Sequence, residues 1–259
     1  MRRFLPCFII WFMMLALLSR YALAATLQVA PVTLDMQSGQ RATAVYLTNS
    51  GKTAIHAQIR VYEWSQKNGK DVLEATEKVV SSPAMTSLAP GQQQLVRIIV
   101  MQPGAHEQEQ SYRLVIDELP DAASRAANPS AVHFLLRYSI PVFIAGSQTT
   151  PPSQDVLSCE QAEIPATLRC YNAGNRHIRL SHLQVLTASG QVAGSVKGLA
   201  GYVLPGQTAL VPLKQTPRHS LSALRAYIND DRHASQIPLR PLAARAPVLA
   251  TAHSVSSPG

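Results

Sequence analysis

The sequence predicts an all-β protein: an immunoglobulin-type β-sandwich followed by a second, shorter β domain. Segments of alternating or continuous apolar and β-branched character recur about every 8–15 residues, separated by Gly, Pro, Asn or Ser, which is the rhythm of short antiparallel strands. Past the N-terminus, no stretch carries an apolar stripe of helical period with a cap at each end. A polar, proline-bearing break at residues 147–153 divides the chain into pieces of ordinary domain size, about 100–150 residues each.

Residues 1–24 read as a signal peptide. Arg2 and Arg3 supply a positive start, Phe4 to Leu18 form an almost unbroken apolar run, and Ala22-Leu23-Ala24 offers small residues for cleavage. The other reading, an uncleaved anchor, fits less well with so short a run followed so closely by the cleavage site. Export through the Sec pathway is therefore expected. No later segment has 18 consecutive apolar residues, so no stable membrane insertion is expected after cleavage.

Residues 25–146 contain the strongest strand candidates: Ala25–Leu34, Ala42–Thr48, Ala54–Tyr62, Leu95–Met101, Tyr112–Leu119 and Val132–Ile144. The turns between them are legible at Ser38-Gly39, Asn49-Ser50-Gly51, Lys67-Asn68-Gly69-Lys70 and Pro90-Gly91. Asn68-Gly69 is a favoured hairpin turn because both residues tolerate positive φ. About seven short strands in about 120 residues suit a sandwich of the immunoglobulin type.

After the linker at 147–153, residues 154–240 carry a second strand set: Asp155–Ser158, Thr167–Asn172, Ile178–Thr187, Val192–Val196, Thr208–Pro212, Ser222–Ile228 and Ala234–Ile237. Asn172-Ala-Gly-Asn175 is a turn signal. The tail, residues 241–259, is rich in Ala, Pro and Ser and is expected to be disordered. Cys7 leaves with the signal, so the exported chain keeps Cys159 and Cys170. In an oxidising compartment such a pair suggests one disulfide between neighbouring strands, the alternative being two buried thiols. Without neighbouring His ligands the pair makes a poor zinc site.

Composition narrows the function classes. The formal net charge of +8 loses three positive charges with Arg2, Arg3 and Arg20, and no run of five like charges exists, so nucleic-acid binding has no electrostatic footprint. No G-x-S-x-G, H-E-x-x-H or Walker-type loop is present, and the eight histidines are scattered without i, i+4 pairs. No enzyme activity, cofactor or metal is expected.

The most informative segment is Ala131 to Ile144. One face of such a strand carries Val132, Phe134, Leu136, Tyr138, Ile140 and Val142; the other carries His133, Leu135, Arg137, Ser139, Pro141 and Phe143. Pro141 cannot donate to a ladder, which puts at least that part at a sheet edge. A long apolar edge strand is an aggregation hazard unless it is covered or used. Use means adding to a partner's sheet, where backbone bonds give affinity and alternate side chains give specificity. The competing reading is a central strand buried between two sheets.

The run Tyr112-Arg-Leu-Val-Ile-Asp-Glu-Leu-Pro120, a loop, and then Arg137-Tyr-Ser-Ile-Pro-Val-Phe143 resembles the PapD-like pilus chaperone family. Leu27-Gln-Val-Ala-Pro-Val-Thr-Leu34, Leu47-Thr-Asn-Ser50 and Leu88-Ala-Pro-Gly-Gln-Gln-Gln-Leu-Val-Arg-Ile98 follow the family's order. The Arg-Tyr-Ser-Ile-Pro-Val version is similar to the archaic branch, which serves spore-coat-U-like pilins. The resemblance covers about Thr26 to Gly146 closely and the second half by pattern only.

It implies two immunoglobulin-like domains at an angle, a periplasmic location, and pilus subunits and an outer-membrane usher as partners. It also implies that a donor strand completes an incomplete pilin, a mode of strand addition that is well described for chaperone–pilin pairs. By position, Val132, Phe134, Leu136 and Tyr138 would be the donor side chains. Members outside the archaic branch grip the pilin's C-terminal carboxylate with an Arg on the first strand and a Lys late on the donor strand. Here the matching residues are Pro31 and Ser139. A guanidinium suits bidentate carboxylate binding, which makes Arg113 the first candidate, then Arg137 and Arg97. Each also reads as a solvated surface arginine. Glu118 reads either as a partner for a basic residue that fixes the domain angle or as an isolated surface carboxylate. The alternative function is a secreted pilus or adhesin component that itself receives a strand. Entry into the first strand at Leu27, with no spare N-terminal extension, argues against it.

Overall fold

The computed structural model describes residues 27–104, 106–120, 134–148, 154–214 and 221–240. The sequence-expected signal, most of the linker and the tail lie outside these residues. The first ten strands are β1 (Leu27–Ala30), β2 (Leu34–Met36), β3 (Ala42–Asn49), β4 (Ile55–Lys67), β5 (Lys70–Ala75), β6 (Val79–Ser82), β7 (Met85–Leu88), β8 (Gln93–Val100), β9 (Gln110–Leu119) and β10 (Arg137–Ile144). They form two sheets, β1-β3-β8-β6 and β2-β10-β9-β4-β5, with β7 also on β4.

Period-two patterning gives each sheet one dry face. Ile55, Ala57, Ile59 and Val61 of β4 point inward with Leu114 and Ile116 of β9, while His56 and Arg60 point out. Across the sandwich they meet Leu27, Val45, Leu47, Val96 and Ile98. The expected single strand Ala25–Leu34 is instead two. The chain pairs with β3 as far as Ala30, crosses at Pro31–Thr33, and joins β10 of the other sheet from Leu34. Alternation is the same in either sheet, so the sequence pattern could not show the switch. The expected turn at Asn68-Gly69 is present, with φ of 54° and 76° joining β4 to β5.

The second domain holds β11 (Leu157–Gln161), β12 (Thr167–Asn172), β13 (Ile178–Thr187), β14 (Val192–Val203), β15 (Thr208–Pro212), β16 (Leu221–Ile228) and β17 (Ser235–Arg240), after one 3-10 turn at Gln154–Val156. Its strand order is β14-β13-β16-β17-β11-β12-β15, and β17 turns from antiparallel pairing with β16 to parallel pairing with β11. Its core, built around Leu168, Leu180, Leu183, Val185 and Leu224, is separate from the first. Cys159 and Cys170 are direct partners in the β11–β12 ladder and form a disulfide.

The domains meet through specific contacts. Trp64, Phe143, Tyr202 and Leu204 make a small apolar cluster between them. The hairpin tip reaches across to β15, where the Leu210 N–H donates to the Gly69 carbonyl at 2.8 Å. A Cβ on Gly69 would run into the Leu210 side chain, so both the turn and the close approach require glycine. Gln66 is fully used: its backbone N–H donates to the Gln207 side-chain oxygen, its Nε2 to the Tyr202 carbonyl at 2.9 Å, and its Oε1 accepts from the Leu204 N–H at 3.0 Å.

Replacing both Cys159 and Cys170 by serine is expected to destabilise the second domain by about 2–3 kcal/mol, the loop entropy held by a bridge spanning 11 residues. Urea unfolding of the oxidised protein against the variant measures this, and unchanged midpoints contradict it.

Candidate functional site

The segment singled out in the sequence lies where one sheet is incomplete. Strand β10 pairs antiparallel with β9 along its whole length, from Arg137↔Asp117 to Ile144↔Gln110. On its other flank β2 covers only Val142, Phe143 and Ile144. Residues 137–141 are thus bonded on one side and form a free edge. Pro141, with no N–H to donate, closes this stretch opposite Arg113. Antiparallel pairs alternate in bonding, and the Glu118 N–H donates to the Leu136 carbonyl at 2.9 Å. That phase directs the backbone groups of Arg137, Ser139 and Pro141 away from β9, toward the open flank.

The strand is shorter than its sequence suggests. Expected from Val132, it starts at Arg137, and residues 134–136 continue it without a regular ladder. Val132 and His133 lie outside the described residues. Phe134 is 85% exposed, a large apolar side chain at the head of the free edge. Leu136 and Tyr138 are half-buried against the domain's own core, and the Tyr138 hydroxyl donates to the Leu27 carbonyl of β1 in the facing sheet. Burial raises the Tyr138 pKa, so the hydroxyl stays a donor at neutral pH.

The three arginines are in three environments. Arg113, on β9 beside Pro141, has a side chain only 14% exposed. Its guanidinium lies over the Trp64 ring at 3.7 Å and near Tyr202 at 5.4 Å, with Asp71 at 4.0 Å. Burial lowers its pKa and Asp71 opposes that shift. It lines a cleft of about 550 Å³ between the domains, with Lys70 and Asp71 on one wall and Ile164, Leu199 and Tyr202 on the other. Arg137 is exposed, and its guanidinium is engaged by Asp117, whose second oxygen accepts from Arg60 at 2.7 Å. Arg97 lies exposed on β8 in the opposite sheet and makes no ion pair among the described residues. Of the three, Arg137 lies on β10 itself and Arg113 on β9 beside it. Ser139 is exposed on the free edge, and Pro31 lies in the crossing from β1 to β2.

Glu118 does not join the domains. Its carboxylate accepts from the Leu136 N–H at 3.2 Å. The junction instead uses Glu109, whose side chain is 2% exposed. Its Oε1 accepts from the His177 backbone N–H at 2.9 Å and lies 2.8 Å from His177 Nδ1. Phe143, at the covered end of β10, stacks on the His177 ring at 3.5 Å and 7°. Nothing in the sequence marked Glu109, His177, Gln66 or Trp64, because each acquires its role only when a second domain is laid against it.

A two-domain β-sandwich protein with one open strand edge beside the interdomain cleft has the architecture of a pilus chaperone. Residues 26–149 match the family model described as pili and flagellar-assembly chaperone, PapD N-terminal domain. Among solved structures, the chain is similar to one from the CsuC–CsuE chaperone–tip adhesion subunit pre-assembly complex of the archaic chaperone-usher Csu pili of Acinetobacter baumannii. The two are 28% identical over 84% of this chain and 100% of that one, with a TM-score of 0.63. The Pseudomonas aeruginosa CupB2 chaperone (18% identity, 82% of this chain, 100% of that chain, TM-score 0.57) shares the fold. So does a chain of the Salmonella enterica SafA pilin–SafB chaperone complex (14% identity, 84% and 98%, TM-score 0.60). Curated protein sequences gave no match. The first domain matches that family model, and the chain as a whole shares the two-domain fold of pilus chaperones. Its role is that of a chaperone in pilus assembly. No helix among the described residues is long and apolar enough to cross a membrane.

The Asp117 carboxyl is held below the usual carboxylate range, chiefly by the hydrogen bond from Arg137 and then by that from Arg60, with burial opposing. A lowered folded value means its contribution to stability is present above the unfolded pKa of about 3.9. That contribution is lost as pH falls through the folded value. Asp117→Asn is therefore expected to be less stable than wild type at pH 7, with the gap closing as pH is lowered from 5 toward 2. Urea midpoints at several pH values check this; a gap that persists at the lowest pH contradicts it.

Proposed function

We propose that this chain is an exported, non-catalytic periplasmic chaperone that captures pilus subunits by donor-strand complementation along residues 134–141 and passes them to an outer-membrane usher. The observation that carries the reading is the one-sided ladder of β10, uncovered until β2 joins at Val142. A subunit lacking one strand could bond to the outward backbone groups of Arg137, Ser139 and Pro141. Phe134, and Val132 beyond the described residues, would fill its groove, with Leu136 and Tyr138 turned partly from their own core toward the same seam. Each fully buried aliphatic or aromatic side chain adds about 1.5–3 kcal/mol before ordering costs. The archaic pilus chaperone complex of the 28%-identical relative supports a pilus subunit as the class of partner.

Arg113 is the favoured anchor for the subunit's terminal carboxylate. It lines the interdomain cleft at the level where β2 ends the free edge, so a strand added along β10 would terminate beside it. Arg137 is already committed to Asp117, and Arg97 faces away on the other sheet.

Phe134→Asp should leave the fold intact, because that side chain is exposed, yet abolish capture of a co-expressed subunit. A normal yield of soluble 1:1 complex from this variant would reject strand donation at this site. Arg113→Ala should reduce complex yield more than Arg137→Ala, with Arg97→Ala near wild type, and Arg113→Lys should recover only part because it keeps charge without the bidentate fork. Pull-downs with equal or reversed effects would reject this ranking.

A further inference from the structure

An edge strand bonded on one side has lost half of its ladder and should fray from its free end. Three consecutive residues at the head of β10 are nevertheless each held by a different residue, two of them on β9 and one on β1. In the plane of the sheet, Leu136 exchanges two bonds with Glu118: its carbonyl accepts from the Glu118 N–H at 2.9 Å, and its N–H donates to the Glu118 carboxylate at 3.2 Å. On the outer face, Arg137 is bonded to Asp117, a carboxylate saturated from the other side by Arg60 at 2.7 Å. On the inner face, the Tyr138 hydroxyl spans the sandwich to the Leu27 carbonyl. The direction left without a hold is the open flank on which a partner strand would add.

We infer that Asp117, Glu118 and Tyr138 are positioning residues for strand donation, clamping residues 136–138 in extended register so that the free edge is ordered before a subunit arrives. The inference rests on the strand-donation reading above and assigns to these residues a part in the rate of capture. An ordered edge lowers the conformational entropy lost on encounter, which acts on association when the bound state is the same in both proteins. Arg137 and Tyr138 thereby have work inside their own domain, which distinguishes them from Phe134, whose side chain is exposed.

The test uses the full exported chain and, as probe, the denatured pilus subunit that co-purifies with the wild type, diluted into excess chaperone while soluble 1:1 complex is followed in time. Tyr138→Phe removes one oxygen and Asp117→Asn one charge, so both variants should fold. Each is expected to slow capture about fivefold, the loss of one modest hydrogen bond, and the double variant more, while dissociation of the finished Asp117→Asn complex is unchanged, that side chain lying on the outer face away from the groove. Amide exchange of residues 136–140 in free Tyr138→Phe should quicken by a similar factor, with β4 and β9 unaffected away from the clamp. Asp117→Glu, which restores the charge, should recover part of the rate. Wild-type capture rates with wild-type exchange would overturn the inference, as would a loss appearing equally in dissociation of the Asp117→Asn complex or, in Tyr138→Phe, spreading as general destabilisation. Failure of the wild type itself to capture a subunit would instead sink the strand-donation reading, and the inference with it.

Discussion

The structure turns on a mismatch of lengths along one edge. Strand β10 is eight residues long, and the strand beside it, β2, is three. The mismatch arises because the first stretch of the domain is shared between two sheets. Leu27–Ala30 belongs to β3, and only Leu34–Met36 reaches β10. Had the chain stayed in one sheet from Leu27 onward, its length would have covered the edge that is now open. The crossing at Pro31–Thr33 therefore does two things at once. It closes one side of the sandwich with β1, and it leaves residues 137–141 bonded on a single flank. The Tyr138 hydroxyl on the Leu27 carbonyl ties these two consequences together across the seam.

The two ends of β10 are fixed by different means. The covered end runs into the domain junction, where Phe143 is buried against His177, Trp64 and Tyr202. A ring packed on three neighbours resists displacement far better than a backbone ladder alone. Glu109, bound to both His177 nitrogens that face it, and Gln66, bonded to three second-domain residues, add directional contacts that fix how the domains meet. Arg113 stands on this same aromatic ground, its guanidinium over the Trp64 ring at 3.7 Å. Its position in the cleft is thus inherited from the junction, and the second domain shapes the end of the groove.

Much of this was legible in the sequence. The alternation over Val132–Ile144 gave the correct faces: Ile140 and Val142 point into the core, Arg137 and Phe143 away from it. Pro141 marked an edge because a missing N–H is a chemical fact independent of context. Asn68-Gly69 and the cysteine pair were readable for similar reasons, since both are local signals. The misses were all tertiary. Sheet switching within Ala25–Leu34 leaves the period-two pattern unchanged. Arg137 looked like a free cation because its partner Asp117 lies 20 residues away, and Glu118 looked available for a cation because its bond to a backbone N–H carries no sequence mark. The junction residues had no signal at all, being ordinary polar or aromatic residues until a second surface buries them.

An exposed apolar edge invites promiscuous pairing, and the same features that shape this one restrict who can use it. The stretch is short, Pro141 removes a donor, and Arg137 with Asp117 and Arg60 places a hydrated ionic cluster on the outer face. A generic flat strand, offering side chains on both faces, would have to desolvate that cluster without partners for it, at a cost that a few ladder bonds do not offset. A partner with a groove on the inner-face side only escapes this penalty, because it meets Phe134 and the seam beside Leu136 while leaving the charges in water. It must also end, or turn away, where β2 begins at Val142. These conditions describe a sandwich missing one strand more closely than they describe a loose β-segment. On the strand-donation reading, selectivity for incomplete subunits over misfolded strands in general would rest on one ionic cluster, one proline and one short neighbouring strand.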